Sequence, residues 1–144
     1  MATKSKLQTT RVPKEVRRLE IPHVRIGEKG KIEIYARLTV TRKETTLLGP
    51  GKVRLLELID ETGSIAKAAR LLGMSYRRAW LLIQSMTGGW KDSPVETASG
   101  GSSGGGTVLT PLGRDLVQVY REMEGELHRV LELASKRLRR FTRA

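Results

Sequence analysis

Four consecutive residues, Ser75-Tyr76-Arg77-Arg78, carry the strongest chemical signal in this chain. A serine there can cap a helix, which places the tyrosine and both arginines on the first helical turn. Arginine at such a place can donate two parallel hydrogen bonds to guanine O6 and N7. Tyrosine can bond a phosphate or touch a thymine methyl group, and the unpaired N–H groups of a helix N-terminus suit phosphate. No acidic residue lies between Ala66 and Lys91. A solvated face is the plainer reading of Arg77 and Arg78. The pattern favours base or phosphate contact for Arg77 and packing for the neighbouring Trp80.

Other chemistry is thin. The chain has no cysteine, which excludes disulfides, thiolate catalysis and thiolate metal sites. His23 and His128 are far apart and in no metal-ligand spacing. Asp60 and Glu61 are adjacent, so on a helix they point to different faces and form no acid–base pair. Glu122, Glu124 and Glu126 read as a solvated helix face. The run Ser99 to Gly106 is SGGSSGGG, and it lacks the lysine and hydroxyl that a nucleotide-phosphate loop needs. Gly49-Pro50-Gly51-Lys52 fails the same test. Neither an enzyme nor a cofactor is expected.

Charge points the same way as the arginines. Over 144 residues, 27 Lys and Arg stand against 15 Asp and Glu, a net charge of +12. Such an excess implies a polyanionic partner, most often nucleic acid. The excess is greatest in residues 1–50, with 12 basic and 5 acidic side chains. No apolar run approaches the roughly 20 residues of a membrane span. The charged N-terminus has no apolar core of a secretory signal, so the cytoplasm is expected.

These side chains need elements to hold them. Residues 1–12 read as a disordered arm, and residues 13–19 as a short helix with Val12, Val16 and Leu19 on one face. Residues 24–26 and 31–40 alternate with period two, which predicts two strands joined by a turn at residues 27–30. Gly49-Pro50-Gly51 opens a helix with Val53, Leu55, Leu56, Leu58 and Ile59 at helical spacing, and Gly63 stops it. Ser64 caps a second helix with Ile65, Ala68, Ala69 and Leu72 inward, and Gly73 ends it. Ser75 caps a third, with Ala79, Leu82, Ile83 and Met86 inward, ending at Gly88-Gly89. The small Ala69 and the turn residue Gly73 allow the close, steep crossing of a helix-turn-helix, although an ordinary helical hairpin has the same signature.

Residues 94–98 and 107–109 predict two short strands around the glycine run, which is either a flexible linker or a hairpin tip. Thr110-Pro111 then starts a helix reaching about residue 139. Its apolar residues Leu116, Tyr120, Met123, Leu127, Val130, Ala134 and Phe141 form a heptad seam, with one position held by Arg137. A helix of about 28 residues runs roughly 42 Å, longer than so small a domain can cover, which favours a dimer interface over core.

The stretch from Leu48 to Gly113 resembles the N-terminal DNA-binding domain of ModE-type, molybdate-responsive transcription regulators. The resemblance rests on LGPGKVRLLELIDETGSIAKAARLLGMSYRRAWLLIQSM and VETASGGSSGGGTVLTPLG, and on the combination of Gly63-Ser64-Ile65, Gly73-Met74-Ser75-Tyr76, Ala79-Trp80, the glycine cluster and Leu109-Thr110-Pro111-Leu112-Gly113. It implies a winged helix-turn-helix related to LysR-type DNA-binding domains, with the glycine cluster as the wing and a dimer paired through the long helices. Full-length members carry a separate C-terminal molybdate-binding domain; none is expected here, and molybdate sensing is not expected to carry over.

The expected architecture is therefore mainly α with small β: a basic arm over residues 1–30, then a winged helix-turn-helix with a long C-terminal helix over residues 31–144. The expected contacts to double-stranded DNA are Ser64, Ser75, Tyr76, Arg77, Arg78, Gln84, Gly100, Gly101, Gly104 and Gly105. The expected homodimer interface is Leu116, Tyr120, Met123, Leu127, Val130 and Ala134. A separate ligand-sensing protein is a candidate partner, no metal or membrane is expected, and the protein is placed in the cytoplasm at the nucleoid. A sequence-neutral architectural chromatin protein is the alternative, ahead of an RNA binder, for which only Tyr35 is available as a stacking aromatic on the predicted strand.

Overall fold

Gly49 is extended and Pro50 follows it with the φ of a first helical turn, so α1 begins there and spans Pro50–Thr62. The structure is a computed structural model, described over residues 24–27, 31–98 and 106–143, with the Arg25 side chain excepted. The expected arm over residues 1–12, the expected helix over 13–19 and Gly100, Gly101, Gly104 and Gly105 lie outside these residues. Before α1 come the strands β1 (Val24–Ile26), β2 (Ile34–Ala36), β3 (Val40–Arg42) and β4 (Thr45–Leu48). After it come α2 (Ile65–Leu71), α3 (Tyr76–Thr87), β5 (Val95–Ala98), β6 (Gly106–Leu109) and α4 (Pro111–Leu138), followed by a single 3-10 turn, Arg139–Phe141. The fold is mainly helical, with three separate antiparallel hairpins.

The core forms where the three short helices meet α4. Val53, Leu55, Leu56 and Ile59 of α1 are fully buried, with Ala68 and Ala69 of α2, Ala79, Ile83 and Met86 of α3, Leu109 of β6 and Tyr120 of α4. These are the faces that helical spacing assigns inward. Full burial of a Leu or Ile side chain contributes about 1.5–3 kcal/mol, so α1 alone holds much of the stabilising energy. Thr110 ties the start of α4 to the residues before β5: its hydroxyl accepts from the Gly113 N–H at 3.1 Å and donates to the Ser93 carbonyl oxygen at 2.7 Å. Gly113 then lies so close to the Pro94 carbonyl that a Cβ would overlap it.

The strand expected over residues 31–40 is two strands with different partners. β2 pairs with β1, Val24 opposite Ala36 and Ile26 opposite Ile34. The chain leaves that ladder at residues 37–39, and β3 pairs with β4 instead. Period-two alternation is the same in both strands, so it conceals the break. The Lys43-Glu44 turn of the second hairpin is hidden for another reason: both residues have positive φ (48° and 65°), where Asn and Gly are the usual occupants. β1 is the strand expected over residues 24–26; it packs against α4, and Val24 and Ile26 are buried.

Tyr120 corrects the expected dimer seam. It is 0% exposed within its own chain, and its hydroxyl donates to the Leu38 carbonyl oxygen at 2.8 Å. The break between β2 and β3 supplies that carbonyl, because Leu38 is outside both ladders. Leu116 and Met123 are partly buried against the same core. The exposed large apolar side chains on α4 are Val130 of the expected seam and, outside it, Val119, Leu133 and Leu138, with Phe141 beyond the helix end.

Burial, followed by the charge of Glu124, pushes the Tyr120 hydroxyl up to about 12. A raised folded value means this stabilisation is complete below the unfolded value of about 10 and is lost as pH rises towards the folded one. Tyr120→Phe is expected to lower stability at neutral pH by about 1 kcal/mol through the lost bond to Leu38. It should also flatten the loss of melting temperature between pH 10 and 12, as read by thermal melts across that range.

Candidate nucleic-acid interface

Two glycines and two serines set the angle of α3. Gly63 ends α1 in the left-handed conformation (φ 68°), its N–H donating to Ile59 O at 2.8 Å. Ser64 at once caps α2, its hydroxyl accepting from the Lys67 N–H at 3.2 Å. Gly73, at φ 66°, reverses the chain again, and the Ser75 hydroxyl caps α3 by accepting from the Arg78 N–H at 3.1 Å. Both serines thus have a structural task at helix N-termini. The Ala69 carbonyl oxygen accepts from Leu72 N and Met74 N, which closes the turn between α2 and α3 tightly.

α3 turns Ala79, Ile83 and Met86 into the core. Its opposite face is exposed and carries Tyr76, Arg77, Trp80, Leu81 and Gln84. Arg77, Trp80, Leu81 and Gln84 are three and four residues apart, so they form one continuous surface. Trp80, read from the sequence as packing, is 44% exposed. The reason is its position directly after Ala79, which turns it off the buried line, and helical spacing from Arg77 is the signal that places it and Leu81 on this face. Arg78 is exposed as well, towards the side of α3.

The charges are segregated. Glu57 of α1 accepts two bonds from the Arg121 guanidinium, at 2.6 and 2.8 Å, and a third from Arg54 at 3.2 Å. Arg121 also pairs with Glu124, Arg54 with Glu61, and Arg129 with Glu126. Burial pushes the Glu57 carboxyl up, but bonding and charge from Arg121, then Arg54, outweigh it and hold it below the usual range. These pairs lie on α1 and α4. Lys67, Arg70, Arg77 and Arg78, all exposed on α2 and α3, have no hydrogen bond or ion pair to their side chains among the described residues. Water and mobile counterions are left to solvate them, the state from which binding a polyanion releases ions.

The β5–β6 hairpin packs against α1 and carries no cation of its own. Thr107 N–H donates to the Gly63 carbonyl oxygen at 2.9 Å, which ties the hairpin to the turn between α1 and α2. Its exposed described residues include Glu96 and Thr97. Among the described residues no three of His, Asp and Glu gather into a group that could hold a metal, and no helix is long and apolar enough to cross a membrane.

No family model matches the chain. Individual proteins do. It is 38% identical over 107 residues to the molybdenum transport protein ModE of Azotobacter vinelandii, covering 74% of this chain and 40% of that one. It is 39% identical over 112 residues to the molybdenum-pterin-binding protein MopB of Rhodobacter capsulatus, covering 78% and 40%. It is 39% identical over 83 residues to the DNA-binding transcriptional dual regulator ModE of Escherichia coli, covering 58% and 32%. This chain is a relative of the ModE and Mop proteins. It spans about two fifths or less of the length of these curated relatives. The ModE relationship agrees with the resemblance carried by residues 48–113.

Ser75→Ala is expected to remove the cap of α3 and cost about 0.5–2 kcal/mol. Urea denaturation checks it: the midpoint should fall with an unchanged slope, whereas Ser75→Asp should retain most of the stability.

Proposed function

We propose that this chain is a transcription regulator of the ModE type that binds double-stranded DNA sequence-specifically as a dimer. On this reading α2, the Gly73 turn and α3 are a helix-turn-helix related to that of LysR-type domains, and β5–β6 is its wing. α3 enters the major groove. Arg77 reads a base edge, Tyr76, Arg78 and Gln84 add base and phosphate contacts, and Ser64 and Ser75 bring helix N-termini to phosphate. Gly100, Gly101, Gly104 and Gly105 at the wing tip approach the flanking backbone. The carrying observation is the exposed face of α3: Arg77, Trp80, Leu81 and Gln84 form one surface flanked by cations without acidic partners. The names of the ModE relatives support the regulatory role.

Dimerisation runs through α4. The proposed seam keeps Leu116, Met123, Leu127, Val130 and Ala134. Tyr120 leaves it for the core, and the exposed Val119, Leu133 and Phe141 extend it. The seam fits a second copy because Val130 and Leu133 are each more than half exposed on a helix of about 42 Å. A two-fold dimer then places two α3 helices about 34–36 Å apart and calls for an inverted repeat. Such a protein acts in the cytoplasm, at the nucleoid, and its basic residues 1–30 are a candidate DNA-contacting arm.

The test is sequencing of genomic fragments retained by the purified protein at about 150 mM salt, where nonspecific attraction is weakened. A few enriched fragments sharing an inverted repeat are expected. Even coverage would overturn sequence specificity and support a sequence-neutral architectural role. Arg77→Ala should weaken enriched sites by about 1–3 kcal/mol while changing random duplex far less. Val130→Glu should convert the dimer to a folded monomer, read by sedimentation velocity with circular dichroism as the control for folding.

A further inference from the structure

The second hairpin, β3–β4, is docked on the far end of α3. The Arg42 guanidinium donates to the carbonyl oxygen of Gly89 at 3.3 Å, just past the end of that helix. Gly89 lies against Leu47 so closely that a Cβ there would overlap the leucine side chain. Arg42 pairs with Thr45 across the two-residue turn Lys43-Glu44, and residues 41–45 are all exposed. Lys43 has no hydrogen bond or ion pair to its side chain among the described residues. Lys91, two residues beyond Gly89, is exposed too.

This placement matters for electrostatics. The C-terminal end of a helix carries a partial negative charge and repels phosphate. Just past this end of α3 the Arg42 guanidinium bonds the Gly89 carbonyl, and Lys43 and Lys91 add positive charge against Glu44 and Asp92. The other end carries Arg77 and Arg78. α3 has 12 residues; that is a length of about 18 Å, greater than the roughly 12 Å width of a major groove. A helix lying along the groove runs beside the flanking phosphates, and the hairpin lies at the end of that run far from Arg77 and Arg78. The turn is also costly in residue choice: Lys43 and Glu44 occupy left-handed conformations that Asn-Gly would occupy without strain.

We propose that the β3–β4 hairpin is a second phosphate clamp, with Lys43 contacting the DNA backbone at the C-terminal end of α3 and Arg42 holding the hairpin in place. This inference rests on the DNA-binding reading above. Glu44, exposed beside Lys43, opposes the contact by its charge, which supplies a test with two opposite signs. Lys43→Asn and Glu44→Gly both suit a positive-φ turn better than the residues they replace, so both should leave the melting temperature unchanged or raised. Their effects on binding should diverge.

The probe is a short mixed-sequence duplex, titrated by fluorescence anisotropy between about 50 and 200 mM salt with the full chain. Lys43→Asn is expected to weaken binding roughly five-fold at 150 mM salt and to flatten the salt slope by about 0.9 for each protomer bound, as loss of one phosphate contact requires. Glu44→Gly is expected to tighten binding. If neither variant alters affinity or salt slope, or both alter affinity in the same direction, while Arg78→Ala still weakens binding, the clamp is overturned and the DNA-binding reading stands. If the wild-type chain shows no salt-dependent binding to the duplex, that reading fails, and the clamp with it.

Discussion

The arrangement depends on two chain reversals at left-handed glycines, each followed by a serine that starts the next helix. Gly63 and Ser64 join α1 to α2, and Gly73 and Ser75 join α2 to α3. Connections this short leave little freedom in the crossing of α2 and α3. The pair can then bury Ala68, Ala69 and Ala79 against α1 only with α3 turned so that Arg77 and Gln84 face outwards. A longer or more flexible connection would permit other crossings, and the same polar side chains would no longer share one surface. The small alanines are part of this constraint, since larger residues at the crossing would separate the helices.

The ion pairs complement that geometry. Glu57 is held by Arg121 and Arg54, and Arg121 reaches across to bind both Glu57 and Glu124, so α1 and α4 are tied by charge as well as by packing. Exposed pairs add little to stability, typically 0.2–1 kcal/mol. The Glu57 pairs are only partly exposed and chelated by two arginines, which fixes the orientation of α4 against the helix core. The larger consequence is for the surface. Acidic side chains are consumed on α1 and α4, while the cations of α2 and α3 have none beside them. Lys67, Arg70, Arg77 and Arg78 thereby give this surface a positive field of its own.

Local chemistry made much of this legible. Helix starts at Pro50, Ser64, Ser75 and Thr110, stops at Gly63 and Gly73, and the inward faces of α1 to α3 follow from capping and helical period alone. Each depends on residues within one or two turns of one another. The misread positions share the opposite property. Residues 31–40 form parts of two hairpins because β2 and β3 find different partners, and alternation carries no information about partners. The Lys43-Glu44 turn has no glycine or asparagine to announce its positive φ. Trp80 is exposed because a small alanine beside it, Ala79, fills the close crossing with α1 and α2.

Neighbouring residues alone account for the helix boundaries and for the run of α2 and α3 without acidic side chains, because caps, turns and charge are local properties. Tertiary structure alone decided the fate of α4. Its apolar residues have one period whether they face core or a second chain. Only the break between β2 and β3, which brings the Leu38 carbonyl to the Tyr120 hydroxyl, assigns Tyr120 to the interior and leaves Val130 and Leu133 outside. Tertiary structure likewise brought Arg42 to the end of α3, 47 positions away in the chain. Such contacts join segments distant in sequence, and no local propensity encodes which of them will meet.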